Sequence, residues 1–324
     1  MLYTSNEIIE KVNGFISQVA FDRQPQTLYE PIKYALSVGG KRVRPVLMLM
    51  AYNLFKDDVD TILSSAAALE TYHNYTLLHD DLIDDSDLRR GFPTVHKKWS
   101  ANTAILSGDT MLVCAFKMMQ QNPTNSREVM RVFTETALEV WEGEQLDMDF
   151  EMRNDVTEEE YIEMIRLKTS VLIACAMQIG GLLADAKHGD LINLYKFGEK
   201  TGLAFQLQDD YLDVYGDPKV FRKNLGGDIV SNKKTYMLIN ALNRATKGQR
   251  AELDKWIAAK DFDRDEKIAA VTELYDEIGI KNISEAKVNA YFEESQHYLD
   301  AIGVDDERKS ELRAFTAQLM NRAY

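Results

Sequence analysis

The same carboxylate pattern stands twice in this chain of 324 residues. Asp80-Asp81-Leu82-Ile83-Asp84 and Asp209-Asp210-Tyr211-Leu212-Asp213 both read Asp-Asp-x-x-Asp. On a helix, Asp80 with Asp84 and Asp209 with Asp213 fall at i, i+4, so each triplet presents its carboxylates from nearly one face. Like charges at that spacing repel by about 0.2–0.5 kcal/mol per pair, and by more when partly buried. A helix that keeps such a cluster among Leu77, Leu78, Leu82 and Ile83 is expected to hold a cation. One or two carboxylates, completed by phosphate oxygens and water, are the donor set that Mg²⁺ prefers. The ligand spacing and central glycine of an EF-hand are absent. Two such clusters point to a shared polyanion.

Cations gather in three places: Gly39-Gly40-Lys41-Arg42-Val43-Arg44-Pro45, Asp87-Leu88-Arg89-Arg90-Gly91 and Asn232-Lys233-Lys234-Thr235. The net charge of -14 excludes nucleic acid as a partner, which needs a basic surface for counterion release. An acidic protein with local cationic nests suits a phosphate ligand bridged by metal. The five histidines and the two cysteines, Cys114 and Cys175, show neither triad nor metal-ligand spacing. The cysteines read as buried thiols of a reducing compartment.

The elements that must carry these residues are helices. Six prolines are confined to positions 25, 31, 45, 93, 123 and 218, and strand-like alternation is scarce, so the expected fold class is all-α in a single domain. Helical patterning covers 5–20 and 29–38, stops at Gly39-Gly40, and resumes with Pro45 in the first turn of a helix through Leu54. A long helix from Asp60 to about Asp85 carries the first motif at its C-terminal end. That is the unfavourable end of the helix dipole for anions, which function explains better than stability. Gly91-Phe92-Pro93-Thr94 reads as a loop. Further helices are expected over 103–120, 126–152, 157–183 and 189–215, with several more from Lys234 onward. The N-terminus lacks the basic and apolar regions of a signal peptide, and eighteen uncharged apolar residues nowhere run together, so a cytoplasmic protein that does not span a membrane is expected.

The ordered set of Gly39 to Pro45, His79 to Asp84 with Arg89-Arg90-Gly91, Lys168-Thr169, Phe205 to Asp213, Lys223 and Gly226-Gly227-Asp228 resembles the trans-isoprenyl diphosphate synthases, over about residues 35 to 240. The resemblance implies an all-helical bundle around a deep central cavity, a homodimer, and head-to-tail condensation of isopentenyl diphosphate with dimethylallyl, geranyl or farnesyl diphosphate. It further implies that Asp80, Asp81 and Asp84 hold two Mg²⁺ ions and Asp209 a third, supported by Asp210 and Asp213. Arg89, Lys168, Lys223 and Lys233 would contact the allylic diphosphate. Lys41, Arg44, His73 and Arg90 would grip isopentenyl diphosphate without metal. Thr169, Gln206 and the backbone near Lys168 would shield the allylic cation. Several preorganised charges, rather than one acid, are what a departing pyrophosphate requires.

Two positions depart from the family pattern: Glu144 occupies a slot where glutamine is usual, with Gln145 following, and Arg222 replaces glycine before Lys223. Upstream of Asp80, Tyr75 and Thr76 with Tyr72 would set product length, and a single aromatic with a small neighbour favours C20 narrowly over C15. A terpene cyclase would need no second diphosphate site, and a non-catalytic subunit would lose one acidic motif. Lys41, Arg44, Arg90 and the doubled motif speak against both.

Overall fold

The structure, a computed structural model, describes residues 2–19, 21–122, 124–217 and 225–320. Lys223 and the neighbouring Phe221-Arg222 lie outside the described residues. The fold is all-α, and among the described residues the only strands are a pair of two-residue segments. The chain forms two compact units: Met1–Thr134 with Cys175–Leu194 and Ile302–Leu312, and Glu135–Ala174 with Tyr195–Ala301 and Arg313–Tyr324.

In the first unit, α1 (Ser5–Gln18) starts at Thr4, whose hydroxyl accepts the Glu7 N–H while the Glu7 carboxylate accepts the Thr4 N–H. This reciprocal cap satisfies two donors that a helix start leaves open. α2 (Gln26–Ser37) ends before Gly39 and Gly40, whose φ of 86° and 143° only glycine adopts without strain. α3 (Val43–Asn53) follows with Pro45 in its first turn. The helix expected from Asp60 opens instead as a 3₁₀ turn, Val59–Ile62, and continues as α4 (Leu63–Ile83).

Ser65, Ala66, Ala67 and Ala68 are all buried in α4, small enough for neighbouring helices to approach closely. After the short α5 (Val95–Lys98), α6 (Ala101–Met119) packs along α4 and is capped by Ser100. At one crossing Gly108 lies so near His79 that an added Cβ would collide with the ring at Nε2. The segment expected as a loop is a hairpin: β1 (Leu88–Arg89) pairs antiparallel with β2 (Phe92–Pro93). Arg90 and Gly91 form its turn with φ of 55° and 80°, the left-handed pair that matches strand twist in two-residue hairpins.

After α7 (Ser126–Glu151), the stretch expected as one helix over 157–183, which starts in the second unit, changes pitch. α8 (Glu158–Ile165) begins with a second reciprocal cap, Thr157 with Glu160, and gives way to a π turn, Arg166–Ser170, before α9 (Val171–Leu183). α10 (His188–Tyr215) carries Gly198 and Gly202 one turn apart; added Cβ atoms there would lie 2.7 Å from Ala174 Cα and 2.6 Å from Ser170 Cα. Missing side chains thus let α10 close directly on the π turn. Phe150, Tyr161, Ile165, Leu203, Leu207 and Tyr236 form one core, and Met237, Leu253, Trp256 and Tyr275 belong to a second beside the helices Tyr236–Arg244 and Arg264–Ile278. Full burial of each large apolar side chain contributes about 1.5–3 kcal/mol.

Candidate active site

In the first unit, the last turn of α4 presents Asp80 and Asp81, and Asp84 follows the helix end, exposed. Arg89 reaches both: its Nε donates to Asp81 Oδ1 at 2.7 Å, and its Nη2 lies 3.2 Å from Asp80 Oδ2. Asp81 is buried, and desolvation lifts its pKa against the opposing pull of Arg89. Asp81, Arg89, Arg90 and Asn74 share a small cavity of about 30 Å³ with Tyr34 and Val95.

The basic run at the start of α3 divides by function. Arg42 is buried; it donates to Glu70 Oε1 at 2.6 Å and to the Leu36 carbonyl at 2.7 Å, and Glu70 also accepts from Asn74. It holds the fold. Lys41 is exposed, and Arg44 Nη1 lies 3.0 Å from His73 Nε2. Desolvation and the neighbouring guanidinium of Arg44, with those of Arg90, Arg89 and Arg42, keep His73 neutral, well below its ordinary pKa. Its Nε2 therefore accepts a hydrogen bond from Arg44. Arg90 packs against Gly39 and Gly40, donating to the Gly39 carbonyl; an added Cβ on Gly40 would meet the guanidinium at 2.7 Å. Arg44, His73 and Arg90 thus belong to one cationic corner of this unit, and Lys41 follows Gly40 in sequence beside it.

In the second unit, Lys168 lies on the π turn. Its Nζ is 2.7 Å from Asp147 Oδ2 and 2.9 Å from Glu144 Oε2, and Lys233 Nζ is 3.3 Å from the same Asp147 oxygen. Gln145 instead donates to Asp149 at the surface, so it is Glu144 that stands beside Lys168. An added Cβ on Gly143 would fall 2.7 Å from Lys168 Cα, so glycine there is what allows the turn to approach. Burial works to raise the Asp147 pKa, but Lys233 and Lys168 outweigh it and hold the group below the usual carboxylate range.

Asp209 is half-buried, whereas Asp210 is buried and accepts from Gln206 Nε2 at 2.9 Å and from the Tyr161 hydroxyl. Thr169 Oγ1 donates to Gln206 Oε1 at 3.0 Å. Asp213 Oδ2 accepts the Asp228 N–H at 2.9 Å, and its carbonyl accepts the Gly226 N–H at 2.7 Å. Burial, opposed by Lys233, pushes Asp210 up to about 6; burial, together with Asp210, pushes Asp228 up to about 7. Tyr161, Asp147 and Asp228 were not among the residues expected at this site. Asp228 and Asp147 each lay within a motif, Asp147 closing the run Gly143-Glu144-Gln145-Leu146-Asp147 that departs from Gly-Gln-x-x-Asp, while nothing local marks Tyr161.

The donor set suits Mg²⁺: hard carboxylate oxygens in each unit, and at Asp210 and Asp228 burial raises the cost of the charged form, which a bound cation would offset. Among the described residues no three potential ligands already converge as a cage.

Tyr72 and Tyr75, on α4, are buried. Tyr72 meets Tyr75 edge-on at 5.7 Å between centroids and Phe133 at 5.4 Å, and Phe133 lies 4.8 Å from Phe116. Tyr75 also packs on the His79 ring at 4.8 Å, while the Thr76 hydroxyl donates to the His73 carbonyl at 2.8 Å. Phe116 and Phe133 extend the aromatic set beyond the three residues expected from the sequence.

A helix interrupted by a π turn with a lysine–carboxylate knot, a doubled aspartate motif and a cationic corner make a set of groups suited to polyanionic ligands. The family model for polyprenyl synthetase matches residues 25–275, and the chain belongs to that family. It is 35% identical over 316 residues to a geranylgeranyl diphosphate synthase of Methanosarcina mazei, covering 97% of this chain and 95% of the relative. It is also 39% identical over 252 residues to a geranylfarnesyl diphosphate synthase of Natronomonas pharaonis, covering 72% and 74%. A crystal structure of a geranylgeranyl pyrophosphate synthase superposes with a TM-score of 0.91 at 39% identity, covering 98% of this chain and 97% of that one.

Proposed function

We propose that this prenyltransferase catalyses the Mg²⁺-dependent head-to-tail condensation of isopentenyl diphosphate with an allylic diphosphate, giving a linear all-trans product, with the whole chain acting as one catalytic domain. The observation that carries the reading is the pair of aspartate clusters, each with its own cations, in a chain of the polyprenyl synthetase family. Asp80, Asp81 and Asp84 hold metal for the allylic diphosphate, and Asp209, supported by Asp210 and Asp213, completes a set of three ions. Bound Mg²⁺ supplies positive charge to the departing pyrophosphate. Arg89, Lys168, Lys223 and Lys233 add fixed charge without transferring a proton. Lys41, Arg44, neutral His73 and Arg90 bind isopentenyl diphosphate. Thr169, Gln206 and the π-turn backbone face the cation with oxygen atoms.

A homodimer is supported by the apolar side chains Ile105, Leu106 and Val113, exposed along α6. Glu158–Leu183 has the length and mean hydropathy of a membrane span, but 83% of its most apolar window is buried within the protein, which supports a cytoplasmic core helix. The protein with Mg²⁺, isopentenyl diphosphate and labelled dimethylallyl, geranyl or farnesyl diphosphate is expected to yield linear prenyl diphosphates, read by chromatography after dephosphorylation. Pyrophosphate release without isopentenyl diphosphate, with cyclic hydrocarbons, would overturn the reading.

We assign C20 over C15 as the product, in keeping with the relatives' names and with a single tyrosine at the fifth position before Asp80. Removal of that ring deepens the space ahead of the growing chain. Tyr75→Ala is therefore expected to shift products toward longer chains by at least one five-carbon unit, scored as the ratio of C25 to C20. An unchanged ratio at undiminished turnover would move the floor to Tyr72 and Phe133.

A further inference from the structure

Asp210 is the middle carboxylate of the second motif, and its environment differs from that of its neighbour Asp209. It is 6% exposed, and each of its oxygens already accepts from the protein: Oδ1 from Gln206 Nε2 at 2.9 Å, Oδ2 from the hydroxyl of Tyr161. Tyr161 is itself 1% exposed and seated in the core with Phe150, Ile165 and Leu207. At the far end, the Thr169 hydroxyl donates to Gln206 Oε1 at 3.0 Å. Four side chains thus make one continuous relay. Both its ends, Tyr161 and Thr169, lie on the α8–π turn segment, and its middle lies on α10. The relay ties the π turn to the helix that carries the motif.

A carboxylate only accepts, so Asp210 requires the amide nitrogen of Gln206 and turns the amide oxygen toward Thr169. Thr169 then spends its one proton on that oxygen, leaving its lone pairs for anything electron-poor beside it. With the amide reversed, N–H groups would face Thr169 and the positive edge of the dipole would meet a cation. The sign of this dipole is decided two bonds away, at Asp210.

We propose that Tyr161 and Asp210 are positioning residues that fix the orientation of the Gln206 amide, and through it the Thr169 hydroxyl, toward the allylic cation. The inference rests on the prenyl-transfer reading and assigns Asp210 an orienting role in place of metal support. Tyr161 remains a donor throughout, because burial and the nearby carboxylates push its pKa well above the ordinary value.

Single-turnover rates at saturating Mg²⁺ and substrates, half-saturating Mg²⁺ concentrations and melting temperatures would be compared in three variants. Asp210→Leu keeps the branched shape but leaves Gln206 without its acceptor; its rate is expected to fall about 100-fold, the size of losing one group that stabilises charge. Asp210→Asn keeps an oxygen for Gln206 and donates to the Tyr161 oxygen; it is expected to stay within about 10-fold of the parent. Tyr161→Phe loses only a hydroxyl and is expected to fall about 10-fold, as outer-shell partners do. In all three, half-saturating Mg²⁺ should not move.

If Asp210→Asn is as slow as Asp210→Leu and needs more Mg²⁺, Asp210 is a metal ligand and the inference fails. It fails equally if Tyr161→Phe and Asp210→Leu both turn over at the parental rate. Should Asp210→Leu not fold, the contrast of Tyr161→Phe with Asp210→Asn decides the matter. Absence of elongation by the unmodified protein would instead overturn the prenyl-transfer reading itself.

Discussion

Asp80→Ala is expected to lower kcat/KM for the allylic substrate by about 1,000-fold, the upper range for removal of one group that stabilises charge in the transition state. Asp80 is half-buried at the end of α4, and its link to Arg89 is 3.2 Å long and partly exposed. Such a pair contributes about 0–1 kcal/mol to stability, so the melting temperature should hardly change. The change also relieves repulsion between neighbouring carboxylates. Activity and stability are therefore expected to separate. Initial rates at saturating Mg²⁺, with melting curves on the same preparation, test this. A loss below tenfold would transfer the metal-holding role to Asp81 and Asp84.

Withdrawal of divalent metal is expected to make stability fall as pH rises from about 5 to about 8. Asp210 and Asp228 have folded-state pKa values pushed up to about 6 and about 7 from the ordinary 3.8, by burial first and, for Asp228, by Asp210. Between those limits the folded protein binds more protons than the unfolded chain, so each rise in pH favours unfolding. The contribution is present below the ordinary carboxylate range and is lost by about pH 7. Asp147 works in the opposite sense. Its lowered pKa stabilises the fold above the ordinary carboxylate range and is lost only as pH falls through the folded value. The two windows barely overlap. The proton deficit amounts to several kcal/mol as an order of magnitude, or roughly 10 °C in melting temperature for a chain of this length. Mg²⁺ with inorganic pyrophosphate should flatten the slope, raising the melting temperature more at pH 8 than at pH 5. A flat profile in EDTA would mean that the two carboxylates ionise freely.

The sequence is legible where chemistry repeats and where proline or glycine punctuates. Gly39-Gly40 ends α2, Pro45 sits in the first turn of α3, and the doubled motif lies on or at the ends of helices α4 and α10. The π turn was not legible because nothing within Arg166–Ser170 demands it. Its neighbours do: Gly143 and Gly202 let other backbone close to within contact of Lys168 and Ser170. Distance along the chain hides the partners of Asp147, Lys168 and Lys233, which it meets only after folding, and it hides Tyr161, which reads as one more core aromatic. Arg42 shows the converse. It shares a basic run with Lys41 and Arg44, yet a buried glutamate 28 residues away takes it for the fold. Arg89-Arg90-Gly91 was read as chemistry followed by a loop, and the hairpin register gives the reason for its spacing.

That hairpin acts as a sorter. Arg89 belongs to a strand and turns to the aspartates, while Arg90, one residue on and left-handed, turns to Gly39 and Gly40. Two identical side chains are thus delivered to two addresses by backbone geometry alone. Because only the strand end and the turn separate them, one residue inserted between Leu88 and Arg89 would carry both arginines out of register without altering a single charge. Spacing at this point is a constraint separate from composition, and a variant that keeps both arginines but shifts the turn would keep the cations and misdirect them.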